Sequence, residues 1–184
     1  MMKTNIVLLT AVVFFVIGLT DAFATGAPEE ETWDLPQTGQ TASYGIGSDG
    51  SLEKGIVWED NTRFAYVGTN VLIDNLTGLM WAKAADGTAR TWAAAVDYAN
   101  QSTFAGFTDW RLANLREMHS LIHYGRDTVS WLSSVGFTGL VSSRRYWTST
   151  TFYYNTGNAW YVGLSQGVSF VAPKTNTNYV LLVR

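Results

Sequence analysis

The order of elements along this chain predicts an α+β protein, and three observations carry that prediction. Short, turn-bounded apolar runs fill residues 63–81, two capped amphipathic helices follow between 91 and 125, and the last forty residues return to alternating strands. Strands, then helices, then strands is the signature of antiparallel sheets with segregated helices, not of a parallel α/β sheet.

In chain order, Leu35, Pro36 and Gly39 belong to loop chemistry, and Gly45, Gly47 and Gly50 to a glycine-rich turn. Residues 55–58, 63–67 and 71–73 read as short strands, and a turn over 74–78 leads into a further strand at 79–81. Thr91 is placed to cap a first helix, with Trp92, Ala95, Val96 and Ala99 on one face. The stretch 106–117 runs from a glycine turn through Trp110 and Arg111 into a second helix. There Asn114 and Glu117 form a capping box, Leu115, Met118, Leu121 and Ile122 recur at helical spacing, and Gly125 is a left-handed stop. Residues 126–145 read as a long loop rich in Ser, Gly and Thr, and a connection of that length is usually functional. A meander closes the chain: a strand from Tyr146, another over 159–164 with Trp160, Val162 and Leu164 on one face, a turn at 165–167, a strand over 168–171 and a last apolar strand over 179–183.

Composition narrows the chemistry. Ile6 to Leu19 form an apolar run behind Lys3, and Ala22 and Ala24 make a small-x-small cleavage site. The run is short of the about 20 residues a membrane helix needs. The expected organisation is therefore a signal peptide over 1–24, a leader over 25–34 and one domain over 35–184. The expected address is secreted, periplasmic or at the cell surface of a bacterium, with no membrane span after cleavage. The chain has no cysteine, so thiol catalysis, Cys-ligated zinc and iron–sulfur clusters are excluded. Its eight Trp, nine Tyr and nine Phe supply the burial that disulfides do not. Charge is uneven: residues 25–80 hold two basic and nine acidic side chains, and residues 81–184 nine basic and five acidic. Mutual attraction of the two halves accounts for this, and so does a basic face for an anionic partner.

Several patterns fail on context. The G-x-G-x-x-G match at 45–50 lacks the following helix that a dinucleotide site requires and is read as a turn. His119 and His123 share a helix face at four-residue spacing, but Ser120 stands where a metalloprotease needs Glu. They are read as flank residues beside the buried stripe. Asp109 is assigned to a turn or to Arg111, and Glu117 to the cap, leaving no acid–base pair. No serine sits in a nucleophile elbow. The signal that remains is Arg126, Arg144, Arg145 and Lys174, with Tyr153, Tyr154, Asn155, Asn158 and Asn176 in nearby loops. Guanidinium forks recognise sulfate, phosphate or carboxylate, and Tyr and Asn supply flat faces and adaptable hydrogen bonds. An acidic, exported chain is not expected to bind nucleic acid. Trp81, Trp92, Trp110, Trp147 and Trp160, together with Arg111, are expected to be structural.

Residues 38–41, 74–81 and 106–112, Trp92 with Ala95 and Tyr98, residues 146–150 and 159–162, and the closing 179–184 together resemble one family in matching order. It is that of the C-terminal domain of the Legionella collagen-like adhesin. The resemblance implies a C-type-lectin-like fold, shared distantly with formylglycine-generating enzymes, with two helices, antiparallel sheets and a long ligand-bearing loop region. It also implies trimers that bind sulfated glycosaminoglycans and host surfaces. Ala113 replaces a usual proline, and the calcium-dependent sugar signatures Glu-Pro-Asn and Gln-Pro-Asp are missing. The copper-binding cysteines of the enzyme branch cannot exist here. The expectation is a non-catalytic binding module without cofactor or metal, recognising an anionic glycan or a surface protein. The alternative is a structural subunit of an extracellular assembly, self-associating through an exposed apolar edge at 179–183. A hydrolase would need Asp109, Glu117 or a histidine to converge in one pocket.

Overall fold

The computed structural model describes residues 35–57 and 62–184. The expected signal peptide and leader, and Trp58 at the end of the first expected strand, lie outside them. A four-residue helix α1 (Asp49–Leu52) is followed by strands β1 (Phe64–Val67), β2 (Val71–Asp74), β3 (Met80–Ala82) and β4 (Arg90–Thr91). Helix α2 (Trp92–Asn100), strand β5 (Arg111–Leu112), helix α3 (Leu115–Ser120) and helix α4 (Thr128–Ser134) come next. Then follow β6 (Tyr146–Thr151), β7 (Asn158–Gly163), β8 (Val168–Pro173), β9 (Thr177–Asn178) and β10 (Leu182–Val183). The pairings of these strands are antiparallel, and the protein is α+β.

Three sheets result: β1-β2-β3-β10-β5, β4-β9 and β6-β7-β8. The last apolar run does not extend the C-terminal meander. It crosses to the first sheet, where Val183 pairs with Trp81 on one side and Arg111 on the other. This explains its unbroken apolar character, because both faces of that sheet are covered. Leu72, Trp81 and Val183 pack with Met118, Leu121, Ile122, Trp131 and Leu132 from α3, α4 and the segment between them. One residue along in each case, Val71, Ala82 and Leu182 pack with Ala95 and Ala99 of α2 and with Trp110 and Trp147. The period of two in a strand sends neighbouring residues to opposite cores.

Capping proceeds as the sequence predicts at two helices. The Thr91 hydroxyl accepts from the Ala94 amide, and Asn114 and Glu117 form a reciprocal capping box. Helix α3 is shorter than its apolar spacing predicts and stops at Ser120. Gly125 is not a left-handed stop. Its φ lies outside the positive region, and its missing side chain instead admits the Gly39 carbonyl, which a Cβ would strike. The expected strand over 55–58 is reduced to one parallel bridge between Pro36 and Ile56.

The larger correction concerns 126–145. This segment contains α4, capped by the Asp127 carboxylate, which accepts from the Ser130 amide. Thr128, Val129, Trp131 and Leu132 are its buried residues. Two serines in its last turn disguise it, yet both hydroxyls donate back to helix carbonyls, Ser133 to Val129 and Ser134 to Trp131. With α1 as well, the expected two helices become four α-helices among the described residues.

Trp81, Trp110 and Trp147 are fully buried. The indole N–H groups of Trp110 and Trp147 donate to the carbonyls of Phe104 and Arg90. Trp92 is half-buried and donates to the Thr148 carbonyl at 2.9 Å. Trp160 departs from its expected place in the core: only Val162 and Leu164 of its strand face are fully buried there, and Trp160 is half-buried. Arg111 is half-exposed and forks onto Glu117 at 2.7 and 2.8 Å, bracing β5 against α3.

Candidate functional site

The four ion pairs described, Arg63–Asp74, Asp86–Arg90, Arg111–Glu117 and Asp109–Arg184, each join residues of the same half of the chain. Attraction between an acidic and a basic half is thus not what these pairs do. Asp109 also finds a different partner from the one expected: it receives both a 2.7 Å and a 3.0 Å bond from Arg184. Those bonds hold its carboxyl below the usual range.

The predicted binding residues divide between the two ends of the β6-β7-β8 sheet. Arg145 precedes Tyr146, which pairs with Val162, so the 142–145 turn lies at the end where the 164–167 hairpin joins Gly163 to Val168. Arg126 is near this end through its neighbour, because the Asp127 carboxylate accepts from the Ser165 hydroxyl at 2.5 Å. Tyr153, Tyr154 and Asn155 belong to the 152–157 turn at the opposite end, where Asn158 pairs with Pro173. The Gly157 carbonyl accepts from the Lys174 amide there, and Asn176 closes the adjoining turn onto Pro173. Five residue steps of strand separate the ends, on the order of 17 Å.

At the first end a groove of about 230 Å³ opens between the 142–145 turn and strands β7 and β8. Ser142, Ser143, Arg144, Arg145 and Gln166 bring polar groups to it, and Tyr161, Val168 and Phe170 bring apolar surface. The turn is held from beneath. The Val141 carbonyl accepts from the Arg144 amide at 3.0 Å, and the buried Tyr146 hydroxyl accepts from the Val141 amide at 3.3 Å. On the other side, the Arg145 carbonyl accepts from the Tyr179 amide at 2.9 Å.

The two arginines are not equivalent. Arg144 donates to the Gly139 carbonyl at 3.1 Å and lies 4.2 Å above the Tyr179 ring, fastening the turn to its surroundings. Arg145 is exposed, with its guanidinium 5.4 Å above the Tyr161 ring. That ring holds the cation over the groove and leaves its N–H fork to a ligand. Lys174 resembles Arg144 in this respect: it donates to the Thr151 hydroxyl at 2.9 Å and sits 4.0 Å over the Trp92 ring. Gln166, Ser142, Ser143 and Phe170 escape sequence reasoning. Phe170 is the one with a trace, since an outward aromatic in a two-faced strand is unusual, but the strand's inner face is set only by its pairing.

The histidines separate. With α3 ending at Ser120, His123 lies beyond the helix and is buried, not at a flank. Its ring packs edge-on against Trp131 at 5.1 Å and accepts from the Gly125 amide. His119 instead meets Ser169 of β8, Nε2 to Oγ at 2.5 Å, and burial pushes its pKa below the ordinary value. Among the described residues no cluster of three or more His, Asp or Glu could hold a metal ion. None of their helices is long and apolar enough to cross a membrane.

Comparison with known families matches residues 70–184 to the Lcl C-terminal domain. The matched span begins just before β2 and includes the groove and both ends of the β6-β7-β8 sheet. A search of curated proteins finds no match.

Proposed function

The chain belongs to the Lcl C-terminal domain family, and from that premise we propose that it is an adhesin-like, extracellular, non-catalytic module that binds an anionic glycan. The observation that carries this reading is Arg145, an exposed guanidinium held over Tyr161 at the mouth of a groove edged with hydroxyl and amide groups. A sulfate or carboxylate on a sugar would take the bidentate fork, the hydroxyls and Gln166 would hold ring substituents, and Phe170 would lie against an apolar sugar face. Such binding is reversible and screened by salt. The two-sided antiparallel sheet, its helices and its loop-borne groove accord with the C-type-lectin-like variety of fold, which we adopt as part of the proposal.

The test is a titration of the purified protein with sulfated and uncharged oligosaccharides at low and physiological salt. Arg145→Ala should weaken binding of the sulfated ligand by about tenfold, the scale of one charge-assisted pair. Arg144→Ala should act mainly on stability, because its cation fastens the turn. Affinity for sulfated ligand that ignores ionic strength would sink the proposal.

A second reading, a subunit of an extracellular assembly, draws on a different surface from the one expected. Val180, Leu181, Leu182 and Val183 are buried, so no apolar edge is offered there. The segment 35–57 does expose Leu35, Tyr44, Ile46, Leu52, Ile56 and Val57. Concentration-dependent self-association, lost in Ile46→Ser/Val57→Ser, would favour this reading.

A further inference from the structure

The turn between β6 and β7, at the far end of the sheet from the groove, is built as a second site of different chemistry. We infer that Tyr153 and Tyr154 form a stacking platform for an uncharged pyranose ring, deepening the proposed glycan recognition on which this inference rests.

The two phenol rings are each 85% exposed, so the fold covers little of either. Their centroids are 5.3 Å apart and their planes meet at 75°, so they form the two walls of an open corner. The corner is not loose. Tyr154 packs on Phe152 at 5.7 Å, and Phe152 on the half-buried Trp160 at 5.6 Å, which ties the exposed rings to strand β7. The backbone beneath them is closed on itself. Phe152 and Asn158 pair across the turn at 3.0 Å, Asn155 and Asn158 each donate back into it, and the Asn155 side chain accepts from the Gly157 amide at 3.1 Å. A ligand therefore meets rings carried on a backbone turn that is already closed, which lowers the cost of ordering the site.

Charge and area select the occupant. Residues 152–158 hold no charged side chain. The neighbouring cation, Lys174, is engaged by Thr151 and the Trp92 ring. Nothing here favours an anion over a neutral molecule. Two tyrosines offer at most about 500 Å². A symmetric pair of such patches would bury at most about 1,000 Å², below the about 1,200 Å² at which stable protein interfaces begin. A pyranose ring matches the site instead: its axial C–H face suits an aromatic wall, and its hydroxyls suit the phenol hydroxyls and the side-chain NH2 of Asn155, whose oxygen is held by the Gly157 amide.

The experiment is ligand-observed NMR and calorimetry on the full mature protein with uncharged hexasaccharides of glucose and N-acetylglucosamine, in 0.05 and about 0.5 M salt, as Debye screening directs. The expected result is binding that survives the higher salt, falls at least tenfold in Tyr153→Ala/Tyr154→Ala and is unchanged in Arg145→Ala. Tyr153→Phe/Tyr154→Phe should retain most of it, which separates stacking from hydroxyl contacts and checks that the turn still folds. No binding of either oligosaccharide overturns the inference, as does binding that the double alanine variant leaves intact. Self-association or vesicle binding lost in that variant, without sugar binding, overturns it in favour of another occupant. Failure of the anionic-glycan reading is distinct, since it would appear in the Arg145 variant and the salt dependence and not at the tyrosines.

Discussion

Arg63 and Glu117 show how much single side chains hold in this protein. Arg63 is buried and doubly bonded to the equally buried Asp74, at 3.0 and 2.8 Å, and it also donates to the Ser120 carbonyl at 2.7 Å. It thereby joins the β1–β2 hairpin to the end of α3. Arg63→Ala strands a buried carboxylate and is expected to cost about 3–5 kcal/mol in chemical denaturation, whereas Arg63→Met/Asp74→Leu should recover much of that loss. For Glu117, burial alone would raise the carboxyl, but the Arg111 fork and the Asn114 amide prevail and leave it below its ordinary 4.5. A depressed carboxyl stabilises the fold above its unfolded pKa and loses that contribution as pH falls through the folded value. For His119, burial favours the neutral ring and depresses the folded pKa below 6.5, so its contribution is complete above that and declines as pH drops toward the folded value. Thermal melts should therefore show two acid-side declines: one beginning near pH 6.5 that His119→Gln flattens, and one beginning near pH 4.5 that Glu117→Gln flattens.

Among the elements, α4 and the segment over 36–41 depend on contacts from distant sequence. Asp127 caps α4 and also holds Ser165 of the β7–β8 hairpin. Asp127→Ala should lower stability by about 1 kcal/mol and loosen the groove end of the sheet, raising amide exchange at 164–167. The 36–41 segment is fastened where the Thr38 carbonyl accepts from the Tyr124 amide at 2.8 Å and where Gly39 passes the His123 ring and Gly125. Gly125→Ala places a methyl group against the Gly39 carbonyl, with an expected loss of about 1–3 kcal/mol. Limited proteolysis should then cut within 36–41 at a far lower protease concentration than in the parent protein.

At the scale of the molecule, the decisive feature is that β10 lies between β3 and β5, so the end of the chain completes the sheet that its beginning starts. Val183 is fully buried there, between Trp81 and Arg111. Val183→Asp would bury an unpaired carboxylate in the middle of that sheet and should abolish cooperative unfolding, as read by near-UV circular dichroism. The groove and the aromatic turn both sit on the smaller β6-β7-β8 sheet. Its first strand is joined to the completed sheet through the hydrogen bonds of Tyr179 with Arg145 and Trp147. Loss of β10 should therefore disturb both sites together, whereas substitutions within either should leave the other intact.

The sequence by itself determined the α+β class, the caps at Thr91 and Asn114, and the family, because each depends on residues close together in the chain or on motifs in fixed order. It also placed Arg145, Tyr153 and Tyr154 among nine candidate binding residues, on the chemistry of Arg, Lys, Tyr and Asn side chains clustered in loops. Only the tertiary structure decided which cations remain available, since Arg144 and Lys174 are taken by Gly139, Tyr179, Thr151 and Trp92 from other parts of the chain. It likewise decided that the binding residues fall at two ends of one sheet, that the last strand is central and not an edge, and that His119 and His123 part company. These outcomes rest on strand register and on where α3 stops. Both are settled by packing between segments tens of residues apart, to which local propensity and periodicity are blind.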